Sequence, residues 1–253
     1  MKSLPSMKES KTSRPQELDY YEKLVKYFDK SRFSTIDKLT NFAKYVTRQD
    51  LTAFLYKYEI FKKILNVQGS IVECGVFQGN GLMTFAHLSS ILEPINHQRR
   101  IIGFDTFTGF LKLSKEDKGS TSDFAKKGHL ATNSYNDLVN CISVFDANRF
   151  LNHIPKIELV KGDISYTVPK FLKKNPHTIV SLLYLDVDVY KPTKVSLQHF
   201  VKRMPKGGII AFDELNTKKF VGETIATLET IGINNLKIRR YPFEPNKCYC
   251  ILE

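Results

Sequence analysis

The sequence predicts an α/β domain, a mostly parallel sheet with an antiparallel end, and three observations predict it. Short apolar runs at residues 70–74, 100–104, 156–160, 179–185 and 208–212 are separated by longer connecting segments, most with helix-length amphipathic pattern, as successive β-α units require. A glycine-bearing turn, Gly75, Gly79 and Gly81, follows the first run. Acids stand at the ends of the runs: Glu73, Asp105, Asp163, then Asp186 with Asp188, and Asp213 with Glu214. In a parallel sheet these ends share the carboxyl edge, where open α/β folds bind ligands. Four carboxylates converging there from the fourth and fifth runs repel one another unless a cation or shared protons offset them. Hard oxygen donors of this kind favour Mg²⁺, Ca²⁺ or Mn²⁺. The competing reading is a set of strand-end acids turned into solvent.

Taken in order, residues 1–15 are polar and form an expected disordered tail. From residue 16 to about 66 apolar positions such as Tyr20, Leu24, Tyr27 and Phe28, then Leu51, Phe54, Leu55, Tyr58 and Phe61, recur at helical spacing, so this part is expected to be a helical cap. Thr47 with Asp50 three residues on suits the N-terminus of its last helix. The domain proper is expected over residues 67–253.

In its first β-α unit the spacing G-x-x-x-G-x-G differs from the dinucleotide fingerprint G-x-G-x-x-G, which argues against NAD. The glycines let backbone approach a ligand where a Cβ would clash. Asp105, about 30 residues further on at the end of the second strand, suits the two hydroxyls of a ribose, with Thr106 and Phe107 at the same edge. Residues 109–153 hold no strand pattern, only a helix around 136–144, and read as a lid or substrate loop; His129 within it reads as solvent-facing. The third strand leads through Asp163 into a helix that Thr167 is expected to cap and Pro169 to enter early. The Asp163 carboxylate or the Ile164 backbone is suited to an adenine edge. A helix over about 221–231 precedes two strands, 236–241 and 247–252, joined by PFEPN and expected to pair as an antiparallel hairpin.

Composition bounds the function. The formal net charge is +12, and residues 1–63 carry 14 Lys and Arg against 8 Asp and Glu. These are scattered rather than blocked, which suits solubility better than nucleic-acid binding. Four cysteines form neither a CxxC pair nor a zinc spacing, as expected of a reduced cytoplasm. No run of 18 apolar residues occurs, so no membrane insertion is expected, and a homodimer is compatible with the sequence.

The runs VECGVFQGNG, GFDTFTGF, LDVDVYKPT and GGIIAFDEL resemble the macrocin O-methyltransferase family over about residues 48–253. The resemblance implies a class I S-adenosylmethionine-dependent methyltransferase sheet, Rossmann-like, of order 3-2-1-4-5-7-6. It also implies Mg²⁺-dependent methylation of a sugar hydroxyl on a small-molecule acceptor. Residue by residue, it implies that Glu73 and Gly75, with the Gly79 turn, hold the methionine end of S-adenosylmethionine. Asp105 and Thr106 would meet its ribose, and Asp163 and Ile164 its adenine. Asp186 would border the cofactor and bind the metal with Asp213 and Glu214, and Asp188 would be the general base. Glu214 departs from the family, which has Asp there. Three other readings stay open from the residues alone: a catechol-type O-methyltransferase, an NAD-binding oxidoreductase and a silent nucleotide-binding module.

Overall fold

The computed structural model describes residues 15–253, so the expected tail lies outside the described residues except at its last position. The chain divides into two compact units between Ala53 and Phe54. In the first, α1 (Pro15–Lys30) and α2 (Thr35–Thr40) are followed by the start of α3 (Arg48–Ile64). The expected cap of α3 forms: the Asp50 N–H donates to Thr47 Oγ1 at 3.0 Å, and the Thr47 N–H and hydroxyl donate back to Asp50.

The second unit holds a six-stranded sheet of β1 (Ser70–Cys74), β2 (Ile101–Asp105), β3 (Ile157–Lys161), β4 (Val180–Leu185), β5 (Ile209–Phe212) and β6 (Cys248–Ile251). Its order is β3-β2-β1-β4-β5-β6, with β6 antiparallel to β5 and the other pairs parallel. The connecting helices are α4 (Asn80–Leu92), α5 (Tyr135–Asp146), α6 (Ile164–Lys174), α7 (Tyr190–Phe200) and α8 (Gly222–Thr230). Because both faces are covered, the central strands β1, β4 and β5 are buried along their whole length. Leu182 and Tyr184 join one core with Tyr56, Phe61 and Phe85, while Leu183 and Leu185 join the other with Phe104, Phe171 and Phe200.

Two local expectations differ from the structure. Residues 236–241 do not form a strand; Arg239 makes a single antiparallel bridge with Tyr249. This places the segment outside β6, as the order 3-2-1-4-5-7-6 implies. Only Leu236, Ile238 and Tyr241 pack inward, while Lys237, Arg239 and Arg240 are exposed, a charged edge that pairs sparingly. The start of α6 is also earlier than Thr167: Asp163 caps it by accepting the Ser165 N–H at 2.8 Å, which puts Pro169 inside the helix. A short polar side chain just before the first turn satisfies a free N–H and fixes the start there.

All four cysteines are free thiols, and among the described residues no helix is long and apolar enough to cross a membrane.

Candidate active site

The turn after β1 is shaped by close backbone approach. Gly75 has φ +91°, and a Cβ there would lie 1.8 Å from the Asp186 carbonyl oxygen, so only glycine lets the turns after β1 and β4 touch. The Asp186 N–H completes the contact by donating to the Cys74 carbonyl at 2.8 Å. A Cβ at Gly79 would meet Leu138 of α5, and one at Gly81 would meet Glu73 Oε1. These glycines therefore admit neighbouring protein atoms, a use the sequence reading had given to a ligand.

Asp105 ends β2 and fastens the same turn. Its Oδ2 accepts the N–H groups of Val76 and Phe77 at 2.7 and 2.8 Å, and its Oδ1 accepts that of Phe107 at 2.6 Å. A carboxylate has about four lone-pair directions, so one remains for a ligand hydroxyl. Thr106 closes the following loop by donating to the Gly109 carbonyl at 2.8 Å. Asp163 and Ile164 stand at the end of β3, the former as cap of α6 and the latter buried. Beside this edge lies a cavity of about 210 Å³ lined by Phe107, Thr108, Asn133, Tyr135, Asn136 and Lys161.

The acids of β4 and β5 come together as their register requires. Leu185 pairs with Phe212, so Asp186 and Asp213 follow side by side. Burial, then the charge of Asp213, push Asp186 up to about 7, and the same two causes push Glu214 up to about 7. Asp188 is buried with φ +62°, a left-handed conformation uncommon outside glycine. Burial and the charges of Asp186, Glu214 and Asp213 raise it well above the usual carboxylate range. Asp213 goes the other way: burial would raise it, but the ammonium groups of Lys247 and Lys57 and the Tyr184 hydroxyl outweigh that and lower it.

Five residues that sequence reasoning did not single out complete the site. Lys247 forms an ion pair with Asp213, and the Tyr184 hydroxyl donates to the same oxygen at 3.1 Å. Lys57, buried in α3, donates to the Tyr184 hydroxyl at 3.4 Å and faces Glu73. Glu73 is itself buried, its Oε2 has no hydrogen-bond partner, and burial raises it against the pull of Lys57. Glu223 is buried in α8, where its Oε1 accepts the Glu214 N–H at 3.0 Å and its Oε2 has no partner. Asp117 accepts the Tyr190 N–H at 2.8 Å, just past Asp188. Of these, Lys57 had a readable signal, a lysine within the apolar face formed by Tyr56, Ile60, Phe61 and Ile64.

The carboxylates expected to bind Mg²⁺ do not fit a divalent ion as they stand. One oxygen of Asp213 already receives an ammonium and a hydroxyl, and among the described residues no three His, Cys, Asp or Glu side chains cluster as ligands. The cofactor fares better. Asp105, with a spare lone pair, and the cavity lined by Phe107, Tyr135 and Lys161 lie at the carboxyl edge, where open α/β folds bind ligands.

Comparison with known proteins decides the family. The model of the macrocin-O-methyltransferase (TylF) family matches residues 27–232. The chain belongs to this family. It is an S-adenosylmethionine-dependent O-methyltransferase. Among solved structures, CalS11, a calicheamicin methyltransferase, is 34% identical over 94% of this chain and 93% of its own, with a TM-score of 0.90. The apo structure of CalS11, a TDP-rhamnose 3'-O-methyltransferase of calicheamicin biosynthesis, is 33% identical over 94% of this chain and 95% of its own, with a TM-score of 0.81. The O-methyltransferase NovP, 15% identical over 80% of each chain with a TM-score of 0.63, shares the fold. Comparison with curated protein sequences gives no significant match.

Proposed function

We propose that the protein methylates a hydroxyl of a nucleotide-linked deoxysugar, with Asp188 as general base. The observation that carries this reading is Asp188, a buried carboxylate held in a left-handed turn at the carboxyl edge. Backbone strain of this kind persists where surrounding structure enforces it and clusters at active sites. The acceptor class is supported by the 33% identity to a TDP-rhamnose methyltransferase. It is supported too by the lysines of the lid. Lys115, Lys118, Lys126 and Lys127 are exposed, as is Lys218, whose carbonyl accepts the Thr121 N–H at 3.0 Å. Such a rim suits the diphosphate of a sugar nucleotide.

S-adenosylmethionine supplies an electrophilic methyl group on a sulfonium. Glu73 and the Gly75 to Gly79 turn would border its methionine end. Asp105 would offer its remaining lone pair to the ribose, and the cavity lined by Tyr135 and Lys161, with Asp163 and Ile164 following at the end of β3, would take the adenine. A sugar hydroxyl is a poor nucleophile near neutral pH because its proton is tightly held. Asp188, in its ionised form, accepts that proton as the oxygen attacks, the role of a general base held within hydrogen-bond reach of the hydroxyl. Positioning supplies most of the remaining rate, since the transfer cancels charge rather than creating it.

The test is a panel with methyl-labelled S-adenosylmethionine: TDP-rhamnose, free rhamnose, a rhamnosylated aglycone and a catechol. Label transferred to the sugar nucleotide is expected. Transfer to the aglycone glycoside alone would move the reaction to the finished product, and transfer to a catechol in the same assay would replace the sugar reading.

A further inference from the structure

The acid cluster carries a cation of its own. Lys247 immediately precedes β6, and the antiparallel register that sets Cys248 opposite Phe212 sets Lys247 opposite Asp213. The two side chains are only 16% and 13% exposed, and the ammonium donates to Asp213 Oδ1. That oxygen also accepts from Tyr184, so its two lone pairs are used. Lys57 stands behind Tyr184, its ammonium 3.4 Å from the hydroxyl and 4.7 Å from the ring centroid. A chain of Lys57, Tyr184, Asp213 and Lys247 thus runs beneath the turn that bears Asp186 and Asp188.

A divalent ion needs carboxylate oxygens at about 2.0–2.6 Å with lone pairs free to point at it. An ammonium hydrogen-bonded to one of those oxygens removes a lone pair and repels the ion. We propose that Lys247 is the resident cation of this site, a positioning residue that holds Asp213 in the place the family resemblance gives to a divalent metal. This deepens the proposed function and rests on its placing methyl transfer at this edge. A fixed ammonium offsets the acids without coordinating the acceptor, which leaves orientation of the sugar to hydrogen bonds and its deprotonation to Asp188.

The experiment needs no acceptor. The wild-type protein, Lys247→Met and Lys247→Arg are stripped of metal by dialysis against chelator and titrated with Mn²⁺ alone, with bound ion followed by electron paramagnetic resonance. Wild type and Lys247→Arg are expected to bind no Mn²⁺ tighter than about 1 mM, and Lys247→Met to bind at least about tenfold more tightly, because the freed carboxylates then face a cation-sized gap. The thermal midpoint and S-adenosylhomocysteine affinity of each variant show that it is folded, and the wild-type titration stands even if one is not. One Mn²⁺ bound by the wild-type protein at micromolar concentration overturns the proposal. So does Lys247→Met with affinity no greater than wild type. Failure of the acceptor panel with these Mn²⁺ results intact would overturn the substrate reading and leave the Lys247 assignment standing.

Discussion

Asp117 in the lid accepts the backbone N–H of Tyr190 at 2.8 Å, two residues after Asp188, and so ties the lid to the turn that carries the base. Its second oxygen accepts the Ser114 N–H at 2.7 Å. Gly222 closes the clamp, because a Cβ there would lie 2.1 Å from Asp117 Oδ1 and 2.4 Å from the Tyr190 nitrogen. The Val189 N–H donates to the Val187 carbonyl at 2.6 Å across Asp188, and the Asp117 contact anchors the turn two residues on. Asp117→Ala leaves the buried Tyr190 N–H unpaired, at about 1–3 kcal/mol, removes the partner of the half-buried Ser114 N–H, and frees the turn. The expected result is a lower thermal midpoint and a lower kcat, with S-adenosylhomocysteine affinity by calorimetry unchanged. Lost cofactor affinity with unchanged kcat would contradict the link.

Why this contact was not legible in the sequence is a matter of range. The strands and the acids at their ends follow from apolar runs and local turn chemistry, the strand order from the family resemblance, and Asp186 and Asp213 do meet as the β-α-β pattern requires. Lys247, Lys57 and Asp117 reach the same site from β6, α3 and the lid, and their partners are 34, 127 and 73 residues away in the chain. No periodicity encodes such pairs. The glycines were legible as a tight turn, but whether a glycine makes room for a ligand or for a carbonyl such as that of Asp186 depends on the neighbouring strand. The outer segment at 236–241 read as a strand paired through the PFEPN joint, while its exposed lysine and arginines leave it a single bridge to β6.

Asp105 is expected to serve the turn and the ribose together. Its three backbone donors are all local to the cofactor edge, so Asp105→Ala removes both the fastening of Val76 and Phe77 and a ligand contact. S-adenosylhomocysteine binding should weaken by about 1.5–3 kcal/mol, the range for a hydrogen bond to a charged group. The thermal midpoint of the ligand-free protein should fall as well. Calorimetry showing native affinity alongside a lowered midpoint would confine Asp105 to a structural role.

Stability should depend on pH in a direction set by the raised carboxylates. Asp186 and Glu214 are pushed up to about 7, and burial raises Glu73, Asp188 and Glu223 in the same sense. Unfolded carboxylates titrate at about 4, so from about pH 4 to 7 these acids bind more protons in the folded chain than in the unfolded one and their contribution to stability falls as pH rises, while His87 and His199, lowered by burial, act in the opposite sense. Asp213, lowered by its lysine partners against its burial, contributes stability that is lost only as pH falls below this window. The five raised acids outnumber the two histidines, so the ligand-free thermal midpoint is expected to decline from about pH 5 to pH 7. A midpoint that climbs over that interval would contradict the electrostatics of the cluster.

The central claim is that Asp188 does chemistry rather than holding the turn. Asp188→Asn keeps size and shape while removing basicity, and the measurement is single-turnover methyl transfer to the best acceptor of the panel, with the thermal midpoint and S-adenosylhomocysteine affinity taken on the same preparation. The account predicts native affinity, a midpoint close to wild type and a transfer rate lower by about 10² to 10⁴, the usual span for a lost acid-base group. Near-native transfer with a lowered midpoint would contradict it.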